Sequence, residues 1–250
     1  MTPLRLSLLA ALLVAVPALT PAALAQVEVA TGAELEVAVA SATEGDEIVL
    51  TQSDEPYLVT DRLANAVALT IRAGDDLDAR PVIRPANEIG DPLIRPRADL
   101  TLEGLDLDAA ELSEEVIRIK DARPVPINLT VEDCVLRNSL DGEFLVRFND
   151  EVDGAPVVLG NLIFDEVVFE NSARGPIRHE AASDTLWFKD VTAYRMESFR
   201  LDGSVGVFRL EDATIFQLDA SGNPAVDIRS EDYAKIEIED AIIDAAGEGA

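Results

Sequence analysis

The chain has 250 residues, of which 48 are Asp or Glu and 20 are Lys or Arg, so its formal net charge is -28. A surface this acidic repels nucleic acid and anionic membranes, so neither is expected as a partner. The single cysteine, Cys134, excludes an intramolecular disulfide. Its place in the repeat described below predicts an inward-facing, inert thiol.

The first 26 residues are typical of a secretory signal. A positive start precedes an apolar core over residues 6–16, and Ala-Leu-Ala at 23–25 fits a cleavage motif. The apolar run is too short and too interrupted by proline to predict a membrane span, and no later stretch approaches that length. We therefore expect a secreted or periplasmic protein whose mature part, residues 27–250, forms one domain.

Residues 27–50 predict an N-terminal cap made of a short helix and the first strands. Thr31 stands at an N-cap position and Glu34 at capping-box spacing after it. Leu35 and Val39 then fall on one face of the helix, and an apolar run at 47–50 follows as a strand.

From residue 69 to residue 245 the chain repeats one pattern of about ten residues. Each copy reads apolar-polar-apolar, then an acidic step, then apolar-x-apolar, which predicts two short strands with a bend between them. The copies begin at Leu69, Leu100, Leu129, Leu162, Leu186, Phe208 and Ile236. Between the copies, further segments alternate with period two and predict a third strand, at 92–96, 116–120, 144–148, 176–180, 198–202 and 226–230.

Repeats built only of short strands predict a solenoid, because one repeat alone cannot bury its apolar residues. Irregular repeat lengths favour an all-β, right-handed, single-stranded parallel β-helix of the pectate-lyase type, with coils stacked about 4.8 Å apart. A β-sandwich also has many short strands, but it does not explain why one pattern recurs seven times.

Four segments carry a family resemblance: the helical entry at 33–42, EGDEIVL at 44–50, ALTIRA at 68–73 and LTLEGL at 100–105. They resemble the chondroitinase-B and alginate-lyase group, polysaccharide lyase family 6. The resemblance implies a β-helix acting on an acidic polysaccharide, with a Lys base and an Arg acid beside calcium. The family's Glu-x-Glu followed by Ser-x-Lys-Ser is not matched, because Glu-Ile-Glu at 237–239 is followed by Asp-Ala-Ile. No catalytic residue is therefore carried over.

Six arginines recur in the second strand of successive coils, each after an inward-facing apolar residue: Arg95, Arg118, Arg147, Arg178, Arg200 and Arg229. Alternation points them outward as a ladder, and neighbouring guanidinium groups about 5 Å apart repel each other. Either internal acids or an extended anionic ligand could offset this repulsion. The internal candidates recur at the bend: Glu103, Glu132, Asp133, Asp165, Glu166, Asp190, Glu211, Asp212, Glu239 and Asp240. The substrate-binding candidates are Arg95, Arg118, Lys120, Arg147 and Arg229.

The catalytic hypothesis is β-elimination of a uronate. Arg178 and Arg200 would neutralise the carboxylate, and His179, the only histidine, would act as the base. Tyr194 is the alternative to His179 for the base and acid roles, and Lys120 and Lys189 are further base candidates. A lone histidine is also readable as structural, and alternation places His179 opposite to Arg178, either facing inward or at the strand end.

The sequence thus leaves two functions open. One is a secreted β-helix that binds and cleaves an acidic polysaccharide of the alginate, chondroitin or pectate type. The other is a non-catalytic binding or surface-interaction module. The distinguishing feature is whether the arginine face is open or closed by acidic partners. Calcium stays open as a cofactor with no ligand assigned. No cap follows the last coil, at 236–244, which leaves three interpretations: a fragment, end-to-end self-association with another copy, or fraying of that coil.

Overall fold

A computed structural model describes residues 26–121, 125–152, 154–217, 224–230 and 232–245. The predicted secretory signal lies outside the described residues except for Gln26, which is the first residue of a strand. Among the described residues, no helix is both long and apolar enough to cross a membrane.

The chain forms three parallel sheets. Numbered in chain order, sheet A contains β1 (Gln26–Val29), β2 (Asp46–Leu50), β4 (Leu69–Ala73), β6 (Leu100–Glu103), β9 (Ile127–Glu132), β14 (Val158–Asp165), β17 (Ala182–Lys189), β20 (Val205–Glu211) and β23 (Tyr233–Glu239). Sheet B contains β3 (Tyr57–Val59), β5 (Val82–Pro85), β7 (Asp106–Asp108), β10 (Val135–Arg137), β15 (Val168–Glu170), β18 (Thr192–Met196), β21 (Thr214–Gln217) and β24 (Ile242–Ala245). Sheet C contains β8 (Ile117–Ile119), β11 (Phe144–Phe148), β16 (Gly175–His179), β19 (Phe199–Leu201) and β22 (Val226–Ile228).

Within each sheet the strands stack in chain order, so every coil adds one strand to each sheet it reaches. This arrangement confirms the predicted parallel β-helix. The segment at 92–96 makes only an isolated bridge, at Ile94, instead of a strand. The strands β3 and β5 and the antiparallel hairpin of β12 (Glu151–Val152) and β13 (Ala155–Pro156) were not predicted.

The core consists of inward-facing columns that run along the helix axis. The first positions of the repeats are in register, as in Leu100 with Leu129 and Leu129 with Leu162. Phe188 is fully buried, and its ring centroid lies 5.1 Å from those of both Phe164 and Phe199. Each such side chain contributes about 1.5–3 kcal/mol through burial.

Cys134 faces inward as predicted and is fully buried. Burial raises the pKa of its thiol to about 12. Because the thiolate is the reactive form, this cysteine is chemically inert at neutral pH.

The acidic step of the repeat sits at the corner between sheets A and B, where the backbone turns through the left-handed region. The φ values there are 69° at Gly104, 49° at Asp133, 55° at Glu166, 50° at Asp190, 49° at Asp212 and 48° at Asp240. Glycine and aspartate adopt this conformation at lower cost than most other residues. The bend between the two strands of each repeat therefore explains the residue types that recur there.

The helix α1 (Gly32–Ser41) covers the N-terminal end of the β-helix. Its predicted capping box is present, because Thr31 Oγ1 accepts from the Glu34 amide at 3.2 Å and Glu34 Oε2 accepts from the Thr31 amide at 3.1 Å. A Cβ at Gly32 would lie 2.0 Å from the Leu58 carbonyl oxygen, so this close packing requires glycine.

The last described coil leaves apolar side chains exposed. Ile236 and Ile238 of β23 are 46% and 51% exposed, although their column is buried in earlier coils. End-to-end self-association through this coil stays a prediction.

Candidate functional site

The predicted arginine ladder exists on the outer face of sheet C. The register pairs Arg147 with Arg118 on one side and with Arg178 on the other, and Arg178 with Arg200. Arg95 extends the ladder by one coil, since the preceding Ile94 is bridged to Ile117. Five of the six predicted arginines therefore stand in one column.

The prediction that Arg229 is the sixth arginine of the ladder was wrong. Asp227, and not Arg229, lies opposite Arg200. Val226 takes the inward place that the repeat pattern assigns to Ile228, the residue before Arg229. Ile228 instead pairs with Leu201, and the Arg229 amide donates to the Leu201 carbonyl at 2.9 Å. The alternation was read correctly, but the register was shifted by two residues.

Protein carboxylates pair with the ladder along its whole length. Arg95 donates to both oxygens of Asp121, at 2.9 and 2.7 Å. Glu180 lies between two coils, 3.1 Å from Arg147 and 2.7 Å from Arg178.

Asp202 continues this pattern as a shared acceptor. It accepts from Arg178 at 3.4 Å and from Arg200 at 2.8 Å, and it lies 3.9 Å from Arg229. Arg229 is held chiefly by Asp227, whose carboxylate oxygen accepts from Nε at 2.7 Å. This contact raises the pKa of Arg229.

The N-terminal part of the ladder is also closed. Lys120 Nζ donates to Asp91 at 2.6 Å, and Asp91 also pairs with Arg62. Burial raises the pKa of Asp121, but its hydrogen bonds and attraction to Arg95 and Arg97 outweigh that effect and leave the pKa below its ordinary value. Internal pairing thus offsets the repulsion between the arginines.

The paired acids are not the ones that the sequence suggested. None of the recurrent acids at the corner between sheets A and B makes a described ion pair with the ladder. Asp133 pairs with Arg80, and Asp165 pairs with Lys189. The reason is geometric, since those acids lie at one corner of the coil and the ladder lies on the third sheet.

Glu115 is the unusual member of this network. Its side chain is completely buried, 3.5 Å from Arg118 and 4.0 Å from Arg147, and neither carboxylate oxygen accepts a hydrogen bond among the described residues. Burial raises the pKa of Glu115 to about 7. Arg118 Nε donates a hydrogen bond to the amide oxygen of Asn149 at 2.9 Å.

His179 faces the interior, which is one of the two positions that alternation predicted. It is completely buried, and its ring meets that of Phe148 edge-on with the centroids 5.7 Å apart. Its Nε2 lies 3.0 Å from Ser183 Oγ. Burial lowers the pKa of His179 to about 4. In this position His179 cannot reach a proton on a ligand that lies along the outer face.

Lys120 follows β8 on sheet C and is held by Asp91, whereas the other two acid and base candidates do not converge with the ladder. Tyr194 projects from sheet B and is 42% exposed, while Lys189 projects from sheet A and donates to Asp165 at 3.1 and 3.0 Å. Arg178 and Arg200 remain on sheet C. The groups proposed for β-elimination therefore occupy three different faces and the interior.

Sequence reasoning missed three arginines outside the ladder. Within the described part of the chain, Arg84, Arg174 and Arg195 have no ion pair. They lie outside the apolar-Arg-apolar pattern of sheet C, so periodicity gave no signal for them. The described residues also contain no group of three or more His, Cys, Asp and Glu side chains placed to hold a metal ion.

No protein-family model and no curated protein matches the chain. Among solved structures, the PL6 family alginate lyase AlyGC is similar, with a TM-score of 0.39 and 17% sequence identity. The match covers 84% of this chain but 39% of the lyase. At this identity the likeness concerns the fold alone, and no residue role is taken from it.

Proposed function

We propose that the protein is an exported β-helix that binds an acidic polysaccharide of the alginate, pectate or chondroitin type without cleaving it. The observation that carries the non-catalytic part is the closure of the arginine face. Asp121, Glu180 and Asp202 hold the guanidinium groups that a substrate carboxylate would need.

The buried histidine supports the same conclusion. Elimination needs a base within hydrogen-bond reach of the proton that it removes. His179 lies behind the sheet that carries Arg178 and Arg200, and Lys189 and Tyr194 lie on other sheets. Lys120 lies on the same sheet as the arginines, but its ammonium group is paired with Asp91 at 2.6 Å.

The binding part rests on fold and local charge. A solenoid offers a long lateral surface to an extended polymer. The net charge of -28 opposes a polyanion at long range, but charges are screened over about 8 Å at physiological ionic strength. Unpaired arginines can therefore bind carboxylate or sulfate groups locally.

Two assays on the purified protein test this function. Ultraviolet absorbance of unsaturated uronate would be followed with alginate, polygalacturonate and chondroitin sulfate, with and without calcium. Affinity electrophoresis through gels that contain the same polymers would measure binding, with dextran as the neutral control. We expect retardation by at least one acidic polymer and no rise in absorbance. A rise would show a lyase, and the absence of any retardation would rule out binding.

A further inference from the structure

Arg174 lies in the turn that connects sheet B to sheet C, and Arg195 lies near the sheet C end of a sheet B strand in the next coil. Arg174 follows β15 and precedes β16, and Arg195 is near the end of β18. Both side chains are exposed. Within the described residues neither has a carboxylate partner, in a chain with 48 acids and 20 basic residues. Unpaired cations are rare on this surface and stand out against it.

An exposed aromatic pair lies next to Arg195, and Arg174 is tied to the same coil because its carbonyl accepts from the Ser198 amide at 3.4 Å. The register stacks Tyr194 of β18 on Phe216 of β21, with ring centroids 5.2 Å apart and an interplanar angle of 7°. The two residues are 42% and 39% exposed. The stacked rings offer the ligand an apolar surface next to a cation, and the Tyr194 hydroxyl adds a polar group. Arg174, Tyr194, Arg195 and Phe216 are called the aromatic–arginine patch below.

The backbone at Arg195 adds a second observation. Its φ is 55°, and equivalent turns of the two preceding coils place Asn138 and Asn171 in the same left-handed conformation. Those asparagines are joined, because Asn171 Nδ2 donates to Asn138 Oδ1 at 3.2 Å. Asparagine tolerates this conformation, whereas for arginine it costs about 1 kcal/mol or more.

The strained position is not explained by an internal contact of the Arg195 side chain. Within the described residues its guanidinium group makes no hydrogen bond or ion pair, so the asparagine ladder ends at Arg195 without replacement. Because Asn138 and Asn171 adopt the same angle, the backbone conformation belongs to the turn, and what differs at Arg195 is an exposed cation in the place of an asparagine.

We propose that the aromatic–arginine patch is the site at which this β-helix binds a uronate-containing polysaccharide. This inference rests on the proposed function and names its site and ligand. The two guanidinium groups would donate to uronate carboxylates. The edges of the stacked rings would contact sugar C–H groups, and the Tyr194 hydroxyl would exchange hydrogen bonds with sugar hydroxyls.

The chain offers matched controls for each part of the patch. Arg84 also lacks an ion pair but lies four strands away in sheet B. Leu58 is 46% exposed and occupies the same outward column as Tyr194, next to Arg84 in register. Substitution of either control removes a similar group from the same sheet without touching the patch.

The experiment measures affinity for polygalacturonate and alginate by affinity electrophoresis and titration calorimetry. The variants are Arg174→Gln/Arg195→Gln and Tyr194→Ala, and the controls are Arg84→Gln and Leu58→Ala. Because each charge-assisted hydrogen bond is worth more than a neutral one, we expect the double variant to lose at least about tenfold in affinity. Tyr194→Ala would weaken binding less, and both controls would bind like the wild type.

The outcomes separate this site from the general function. If the wild type binds the acidic polymers and the double variant binds equally well, the patch is wrong and the proposed function stands. If the wild type binds neither polymer, both fail. Equal binding of dextran would overturn the carboxylate contacts. Circular dichroism and melting of every variant would show that the β-helix is intact.

Discussion

The arginine ladder and the aromatic–arginine patch contain the same kind of cation in two different settings. In the ladder, Asp202 lies within 4 Å of three arginines, and Glu180 within 4 Å of two. In the patch, Arg174 and Arg195 have no such partner among the described residues. The comparison teaches that regular spacing of arginines identifies a structural element, whereas the supply of nearby carboxylates decides which arginines can bind a ligand.

The largest expected effect concerns the interior behind the ladder. Because the pKa of His179 is about 4 in the folded chain and about 6.5 when unfolded, the unfolded chain takes up a proton that the folded chain rejects. The contribution of His179 to stability is therefore full above about pH 6.5 and falls by about 3 kcal/mol as the pH drops to about 4. Chemical denaturation of His179→Phe across this range should lack that loss, and an unchanged pH profile would contradict the burial.

Glu115 should change the free energy of unfolding with pH in the opposite direction to His179. Its pKa is about 7 in the folded chain against an ordinary value of 4.5, so the folded chain keeps a proton that the unfolded chain has lost. The contribution of Glu115 to stability is largest below pH 4.5 and falls by a similar amount, about 3 kcal/mol, as the pH rises to 7.

Glu115→Gln separates this effect from that of His179. In the wild type the two slopes oppose each other between pH 4.5 and 6.5, so the variant should expose the histidine effect alone as a steeper loss in acid. A shallower acid loss than in the wild type would contradict the account. Polysaccharide affinity should not follow either group, because neither belongs to the patch.

Removal of one shared acid should leave ladder arginines without a carboxylate partner, as the arginines of the patch are. Asp202→Asn takes the carboxylate from Arg178 and Arg200, so we expect the free energy of unfolding to fall by about 2 kcal/mol. The released guanidinium groups should also increase affinity for polygalacturonate.

Asp75→Asn is the matched control for this change. Asp75 pairs with Arg72 but its side chain is 87% exposed, so the loss should stay below about 0.5 kcal/mol. Equal stability of Asp202→Asn and the wild type would show that the shared acid does not stabilise the ladder.

The smallest effect is the response of the two regions to salt. Exposed charges are screened more strongly than partly buried ones. Raising the salt concentration from about 0.05 to about 0.5 M should weaken polysaccharide binding several-fold and change the melting temperature by only a few degrees. Binding that is insensitive to salt would exclude the arginines of the patch as its source.

Much of the fold could be predicted because the repeated pattern marks the inward-facing positions of each coil. Leu100, Leu129 and Leu162 recur at one place in the pattern, and the structure stacks them in one inward column. The capping box of Thr31 and Glu34 was equally local.

The pairing of charges could not be predicted in the same way. Glu180 and Asp202 stand two residues after Arg178 and Arg200 in the predicted segments 176–180 and 198–202, so alternation places them on the arginine face. The pattern does not show that each of them is shared with the arginine of the neighbouring coil. Arg229 shows a further limit, because one inward residue, Val226, was enough to shift the register. Arg195 was missed because the deciding property is a backbone angle and an absent partner, and neither is visible in residue type.

Arginine reactivity tests the contrast between the two regions most directly. The wild type would be treated with phenylglyoxal, with and without polygalacturonate, and modification of each arginine followed by peptide mass spectrometry. The account predicts that Arg174 and Arg195 react faster than Arg118, Arg147, Arg178 and Arg200, and that the polysaccharide protects them but not Arg84. The account would be contradicted if the ladder arginines reacted as fast as Arg174 and Arg195 and if polygalacturonate protected only the ladder arginines.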